Sequence, residues 1–195
     1  MYAYLNGKFT YKSPALVHLD VNGIGYELHI SLHTYSLIQP LDNGQLYVYL
    51  QVKEDAHTLF GFAQQEEKLM FLHLIGVSGV GAATARMMLS SLKASEVASA
   101  IVNNNVALIE SVKGIGKKTA ERLVLELRDK IKGFVSGAQN KETTPADALV
   151  TDACNALIAL GINKSQAENA VQKVIKTESG IVYLEELIKK ALRSI

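Results

Sequence analysis

Residues 111–127, SVKGIGKKTAERLVLEL, decide how this chain reads. At first sight a glycine-rich loop runs into a helix, the arrangement that cradles phosphates on helix amides. A nucleotide P-loop, however, needs G-x-x-x-x-G-K-[ST], with the lysine on the terminal phosphates and the hydroxyl on magnesium. Setting Gly116-Lys117 on its G-K puts Ser111 where the first glycine belongs and Lys118 where the hydroxyl belongs, so the match fails at both places. The dinucleotide fingerprint follows a strand, whereas Val106, Ile109 and Val112 precede the loop at helical spacing. The unit is helix, hairpin, helix.

It occurs twice. Residues 77–85, VSGVGAATA, align with residues 112–120, VKGIGKKTA, at an offset of 35, pairing Val77, Gly79, Gly81, Thr84 and Ala85 with Val112, Gly114, Gly116, Thr119 and Ala120. Glycines allow a tight turn and close approach of a ligand to the backbone. Val80 and Ile115, between the glycines, can plug each hairpin into its own core. The first amides of the following helix have no intrahelical acceptor, and with the helix dipole they form a site for an anion. Lys117 and Lys118 sharpen the reading, because a cation in a first helical turn opposes the macrodipole at about 0.3–1 kcal/mol each, a cost a bound anion would offset. A phosphodiester satisfies such a site without any base being read.

The 195 residues are 48% apolar, enough for one large domain or several small ones. A single cysteine, Cys154, cannot close an intramolecular disulfide, and the sequence holds no apolar run of membrane-spanning length and no leader pattern. A soluble, cytoplasmic protein without a membrane partner is expected. The five histidines are scattered, and His29 and His33, though four apart, sit in a strand-like stretch with no cysteine nearby, so no metal site is expected. The net charge of +1 conceals an uneven distribution: residues 1–64 carry −2, residues 65–135 carry +3, and residues 136–195 balance. The basic excess surrounds the repeated unit.

Residues 1–64 have strand grammar, in short Val-, Ile-, Leu-, Tyr- and Phe-rich runs separated by turn residues such as Asn22-Gly23. In LYVYL, Leu46, Val48 and Leu50 alternate with Tyr47 and Tyr49. Five such runs suggest a small closed barrel, for which the OB-fold is one candidate. From Gln64 the period becomes helical, with Leu69, Leu72 and Ile75, then Ala85, Met88, Leu89 and Leu92, as expected core faces. A polar stretch, residues 132–147, reads as a flexible linker ending at Thr144-Pro145, an N-cap followed by proline at the first helical position. Residues 145–195 offer three short amphipathic helices, with Leu149, Ala153, Leu157 and Leu160, then Ala167, Val171, Val174 and Ile175, then Leu184, Leu187, Ile188 and Leu192 as their apolar stripes. The chain is thus an α+β multidomain protein: a barrel over residues 1–64, a tandem hairpin domain over 65–132, a linker over 133–144 and a three-helix domain over 145–195.

The duplicated unit resembles the helix-hairpin-helix motif, which grips duplex phosphates independently of sequence. Together with GIGYELHI near Gly25, VKEDAHTLFGF at residues 52–62 and ALIALG near Leu157, it resembles the RuvA family of Holliday-junction-binding proteins. The resemblance implies an N-terminal OB-fold, a homotetramer, or an octamer on DNA, that holds an open four-way junction, a tethered C-terminal domain that docks on the hexameric RuvB ATPase, and association with the RuvC resolvase. It implies no catalytic residue and no cofactor, ATP being used by RuvB. The DNA contacts it implies are Gly79, Val80, Gly81, Thr84, Gly114, Ile115, Gly116, Lys117, Lys118 and Thr119. Glu54 and Asp55 match an acidic pin at the junction centre, and Leu157, Leu160 and Ile162 fall in the motor-docking run. Many relatives carry a lysine just after the first G-V-G, where this chain has Ala82 and Ala83. The first hairpin is therefore expected to bind through backbone amides alone.

Two other readings stay open at this level. Helix-hairpin-helix modules also serve DNA repair enzymes such as glycosylases and nucleases; in the glycosylases a catalytic aspartate or lysine accompanies the hairpin, and here KKTAERLVLELRDK offers only Asp129, far along the helix. A helical scaffold that binds no nucleic acid would need only the tight corners.

Overall fold

The computed structural model describes residues 2–138, 145–177 and 183–194. These fall into two compact units, Met1–Ala138 and Gln139–Ile195.

The first unit begins with five strands, β1 (Tyr4–Ser13), β2 (Leu16–Val21), β3 (Ile24–His29), β4 (Asn43–Val52) and β5 (His57–Phe62), with helix α1 (Leu32–Ile38) between β3 and β4. They close into a barrel in the order β1-β2-β3-β5-β4, antiparallel except for the β3–β5 pair. The closed five-stranded barrel bears out the OB-like expectation. Period-two alternation explains it: Leu46 and Val48 point into the barrel core with Leu5, Val17, Leu19 and Leu28, while Tyr47 and Tyr49 turn outward to the helices. Helix α1 went unread in the sequence. Ser31 caps it by accepting a hydrogen bond from the Thr34 amide at 3.0 Å, and His33 lies in this helix, not in a strand.

Helices α2 (Gln65–Ile75), α3 (Ala82–Ser91), α4 (Ala94–Val102), α5 (Val106–Glu110) and α6 (Lys117–Ala138) complete the unit. Phe71 of α2 joins barrel and helices, its ring lying 5.0–5.6 Å from those of Phe62, Phe60 and Tyr49. Full burial of such a side chain is worth about 1.5–3 kcal/mol. The buried face of α2 is Glu67, Met70, Phe71 and Leu74, so the expected face of Leu69, Leu72 and Ile75 is displaced: Leu69 is exposed and the other two are partly covered. The face of α3 agrees with expectation, with Ala85, Met88 and Leu89 buried.

Polar ties reinforce this junction. The Ser31 hydroxyl contacts one carboxylate oxygen of Glu67, and the Thr34 hydroxyl donates to the other at 2.6 Å while accepting from the Ala63 amide at 2.9 Å. Burial pushes the Glu67 carboxyl above the usual carboxylate range, against the two hydroxyls and His33, which favour its ionised form. Arg86 of α3 donates to the Ala15 carbonyl at 2.9 Å and meets His29 Nδ1 at 3.3 Å. Burial first, and then the neighbouring guanidinium, hold the His29 ring below its ordinary range, so it is neutral and can accept this bond. The Leu32 amide donates to Ser90 Oγ at 3.1 Å.

The second unit packs α7 (Pro145–Ala159), α8 (Lys164–Thr177) and α9 (Leu184–Arg193) around Ala153, Leu157, Ala167, Ala170, Val171, Val174, Leu187 and Ala191. Pro145 is the first residue of α7, as expected, while Thr144 lies outside the described residues. Helix α6 continues to Ala138, through residues read as linker, and residues 139–144 lie outside the described ones. No helix among the described residues is long and apolar enough to cross a membrane.

Candidate nucleic-acid interface

The two hairpins have one backbone. In the first, the amides of Val77, Val80 and Ala85 donate to the carbonyls of Leu74, Val77 and Gly81 at 2.9–3.1 Å. In the second, the amides of Val112, Ile115 and Ala120 donate to those of Ile109, Val112 and Gly116 at 3.0–3.3 Å, each residue displaced by the repeat offset. Gly79 and Gly114 both have φ +92°, a conformation L side chains rarely adopt, and so must be glycine on backbone grounds. Val80 and Ile115 are each 5% exposed and plug their hairpins into the shared helical core with Val77 and Val112. They hold the hairpins in place, and any contact they make with a ligand is through the backbone.

The second glycine of each pair needs a different explanation. Gly81 is the N-cap of α3 at φ −83° and ψ 166°, an ordinary extended conformation, and a Cβ built there would meet nothing within 4 Å. Gly116, just before α6, likewise has open space over its Cα. Neither glycine is required by its neighbours in the fold. What they provide is a helix start with no side chain over it, although in the second hairpin the Thr119 amide already donates to the Gly116 carbonyl at 2.9 Å. Elsewhere in the unit Ser31 caps α1 and Asn105 caps α5 by accepting from Leu108, while α2 starts on Gln64 without a side-chain cap and at α4 Glu96 accepts from the N-cap's own amide, that of Lys93. The two helices that leave hairpins start on glycines that cannot fill their own amides.

Side chains divide unevenly between the copies. Lys117 and Lys118 are exposed at the start of α6, and no acidic residue accompanies them in the first turn. Their counterparts are Ala82, buried at 7% exposure, and Ala83, which is exposed. Thr84 and Thr119 are half-buried in equivalent places. The hairpins are also linked directly, because Arg122 of α6 donates from Nη1 to the Ser78 carbonyl at 3.3 Å. Sequence reading missed this residue, since its target lies 44 positions away.

Glu54 and Asp55 stand exposed at the tip of the β4–β5 hairpin, closed by a bond from the Lys53 amide to the Ala56 carbonyl at 2.9 Å. In the second unit the docking run divides. Leu157 has no exposed surface and belongs to the bundle core, which removes it as a surface contact. Ile162 is partly buried against that core, and Leu160 is 65% exposed. Leu160 was also expected on the apolar stripe of α7, but that helix ends at Ala159 and Leu160 lies beyond it.

Matches to known proteins run along the whole sequence. Residues 1–61 match the RuvA N terminal domain, residues 71–129 the SAM-like helix-hairpin-helix tandem, and residues 148–195 the RuvA C-terminal domain. The chain belongs to the RuvA family. Among its relatives, the Christiangramia forsetii protein is 46% identical over 195 residues, covering 100% of both chains. The Cytophaga hutchinsonii protein is 45% identical over 197 residues, covering 99% of each, and that of Bacteroides fragilis is 40% identical with 100% of each covered. All three are named Holliday junction branch migration complex subunit RuvA. RuvA membership agrees with the repeated hairpin, since the matched tandem is a helix-hairpin-helix.

Proposed function

We propose that this chain is the junction-binding subunit of a branch-migration complex, gripping four-way DNA through its paired hairpins without reading sequence. The observation that carries this reading is the pair of equivalent helix starts on glycines whose side-chain space is empty. Each presents backbone N–H groups and the positive end of a helix to one phosphate. Gly79, Gly81, Gly114 and Gly116 shape the grips, Val80 and Ile115 set their depth, and Thr84, Thr119, Lys117 and Lys118 add side-chain donors and charge.

The remaining assignments follow from family membership. The barrel assembles a homotetramer, or an octamer on DNA, bringing Glu54 and Asp55 to the junction centre, where their charge repels phosphates and helps part the strands. The chain is non-catalytic and needs no cofactor; the hexameric RuvB ATPase supplies ATP-driven motion, and RuvC resolves the junction. The three-helix unit docks the motor through exposed apolar residues, with Leu160 first among them. The protein acts in the cytoplasm. Domain limits at 1–64, 65–132 and 145–195 fit this division of labour, with the linker shortened by the extent of α6.

The test is a mobility-shift titration of the purified protein on a synthetic four-way junction and on linear duplex of the same arm sequences. Preferential junction binding, with no strand cleavage when divalent metal is present, is expected. Equal or absent binding refutes junction selectivity, and cleavage refutes the non-catalytic role.

A further inference from the structure

Helix α3 leaves the first hairpin, and two of its side chains seat it on the barrel. Arg86, one turn into the helix, donates from Nη1 to the Ala15 carbonyl between β1 and β2 at 2.9 Å and meets His29 Nδ1 at the end of β3 at 3.3 Å. Ser90, one turn further, accepts from the Leu32 amide at 3.1 Å and donates to the Arg86 carbonyl at 2.8 Å. The two attachments differ in kind. The bonds of Ser90 join a hydroxyl to backbone groups, none of which titrates near neutrality. Nδ1 of His29, by contrast, accepts only while the imidazole is neutral with its proton on Nε2. Protonated, the ring would turn an N–H and a positive charge toward a guanidinium that keeps its own charge.

The groups around His29 fix the sign of this response. Burial opposes the imidazolium most, Arg86 of α3 opposes it next, and Glu27 on the same strand favours it, so the ring is held below its ordinary range. Glu27 is itself 3.4 Å from His18 of β2. The strands beside the ring present Leu16 of β2 in register and Phe60 of β5, whose ring lies 5.7 Å away, and neither is charged. The contact with Arg86 is therefore complete above the ordinary histidine range and is lost as pH falls through the depressed value.

We propose that His29 and Arg86 form a proton-sensitive strut that positions the first hairpin against the barrel, released at its hairpin end by acid while Ser90 holds the far end. The proposal rests on the DNA-binding reading above. Arg86 and Ser90 are separated by about 6 Å of helix, so weakening the first attachment lets the start of α3 shift about the second. The hairpin's own backbone bonds, from Val80 to Val77 and from Ala85 to Gly81, do not involve Arg86 and are kept. The grip retains its shape and loses its fixed place relative to the barrel. Local hold on a phosphate then survives, and preference for a junction over a duplex, which depends on the placement of the grips, declines.

The experiment follows the His29 ring by NMR through a pH titration of the full chain, and measures affinity for four-way junction and for linear duplex at fixed salt on either side of its midpoint. On the acid side the ratio of junction to duplex affinity should fall roughly fivefold, the worth of one net hydrogen bond. His29→Asn places an amide oxygen where Nδ1 stood, an acceptor that does not titrate, and should abolish this fall; comparison with it also removes the effect of the other four histidines. Arg86→Gln should give a low ratio on both sides and raise the His29 midpoint, because the facing charge is gone. The midpoint is read without DNA, so it tests the strut even where a variant binds poorly. A ratio that does not change across the midpoint, an equal fall in His29→Asn, or an unmoved midpoint in Arg86→Gln overturns the proposal. Absence of junction binding by the unaltered protein at neutral pH would instead refute the DNA-binding reading itself, so the two failures are distinct.

Discussion

The paired glycines of each hairpin should respond oppositely to the same substitution. At Gly79 an added Cβ meets nothing within 4 Å, so the cost of Gly79→Ala is wholly conformational, set by φ +92°. Forcing an L residue into the left-handed region costs about 1–2 kcal/mol, which for a domain of this size lowers the melting temperature by roughly 3–8 °C. At Gly81, φ −83° and ψ 166° suit alanine. Gly81→Ala gains about 0.4–1 kcal/mol by restricting the unfolded chain and loses a similar amount, roughly 0.5–1 kcal/mol, because alanine is a poorer N-cap than glycine. Stability should therefore change by less than about 0.5 kcal/mol. Binding should not be spared, because the new methyl fills the open space at the start of α3 through which the proposed phosphate approaches. Hydrogen bonds to a charged partner are worth about 1.5–3 kcal/mol, so weakening this grip should reduce junction affinity roughly tenfold or more. Thermal melts by circular dichroism, paired with titrations of labelled four-way junction at fixed salt, separate the two effects. If Gly81→Ala melts as far below the unaltered protein as Gly79→Ala does, or binds junctions with full affinity, the argument that Gly81 clears space for a phosphate is wrong.

Glu67 gives a pH prediction of definite sign. Its folded pKa is raised above the ordinary 4.5, so its contribution to stability is complete below that value and is lost as pH rises through the raised one. Glu67→Gln removes this dependence, and the melting temperature of the variant relative to the unaltered protein should rise from pH 4 toward neutrality; a constant difference would mean the carboxyl is not perturbed. In the second unit, Leu157→Ala opens a cavity in the bundle core and should cost about 2–5 kcal/mol, enough to expose the bundle to limited proteolysis, whereas Leu160→Ala should leave protease resistance intact and weaken capture of the RuvB ATPase. Equal protease sensitivity of the two variants would contradict their separation into core and surface. Replacing Glu54 and Asp55 with Gln and Asn should leave junction affinity unchanged or higher while altering the rate of branch migration with RuvB, and weaker junction binding would rule out the pin.

Some parts of this architecture were legible because each was encoded locally. Alternation in LYVYL fixed which side of β4 enters the barrel, and Val80 and Ile115 were recognisable as plugs between glycines. The face of α2 was misread because its buried side includes Glu67, a carboxylate that a search for apolar periodicity places in solvent; two hydroxyls from α1 and its cap make that burial tolerable, and nothing near Glu67 in sequence announces them. Helix α1 escaped notice because seven residues hold too few turns for a period to emerge. Arg122 escaped for the same reason as Glu67, its partner being remote in sequence.

These remote contacts position the proposed phosphate grips. Helix α3, which carries the first grip, is tied to the barrel by Arg86 on Ala15 and His29 and by Ser90 beneath the Leu32 amide, while Glu67 and Phe71 bind α2 to the same barrel. The barrel also ends in the hairpin that carries Glu54 and Asp55. A rigid body thus separates the acidic tip from the first anion site, and Arg122 extends that rigidity to the second. A protein that selects DNA by the geometry of its arms needs fixed distances between charges more than it needs contacts with bases, and the polar ties between barrel and helices supply them. Loosening one tie, as in Arg86→Ala, should on this argument reduce discrimination between junction and duplex more than it reduces affinity for duplex, and an equal loss on both substrates would show that the ties serve stability alone.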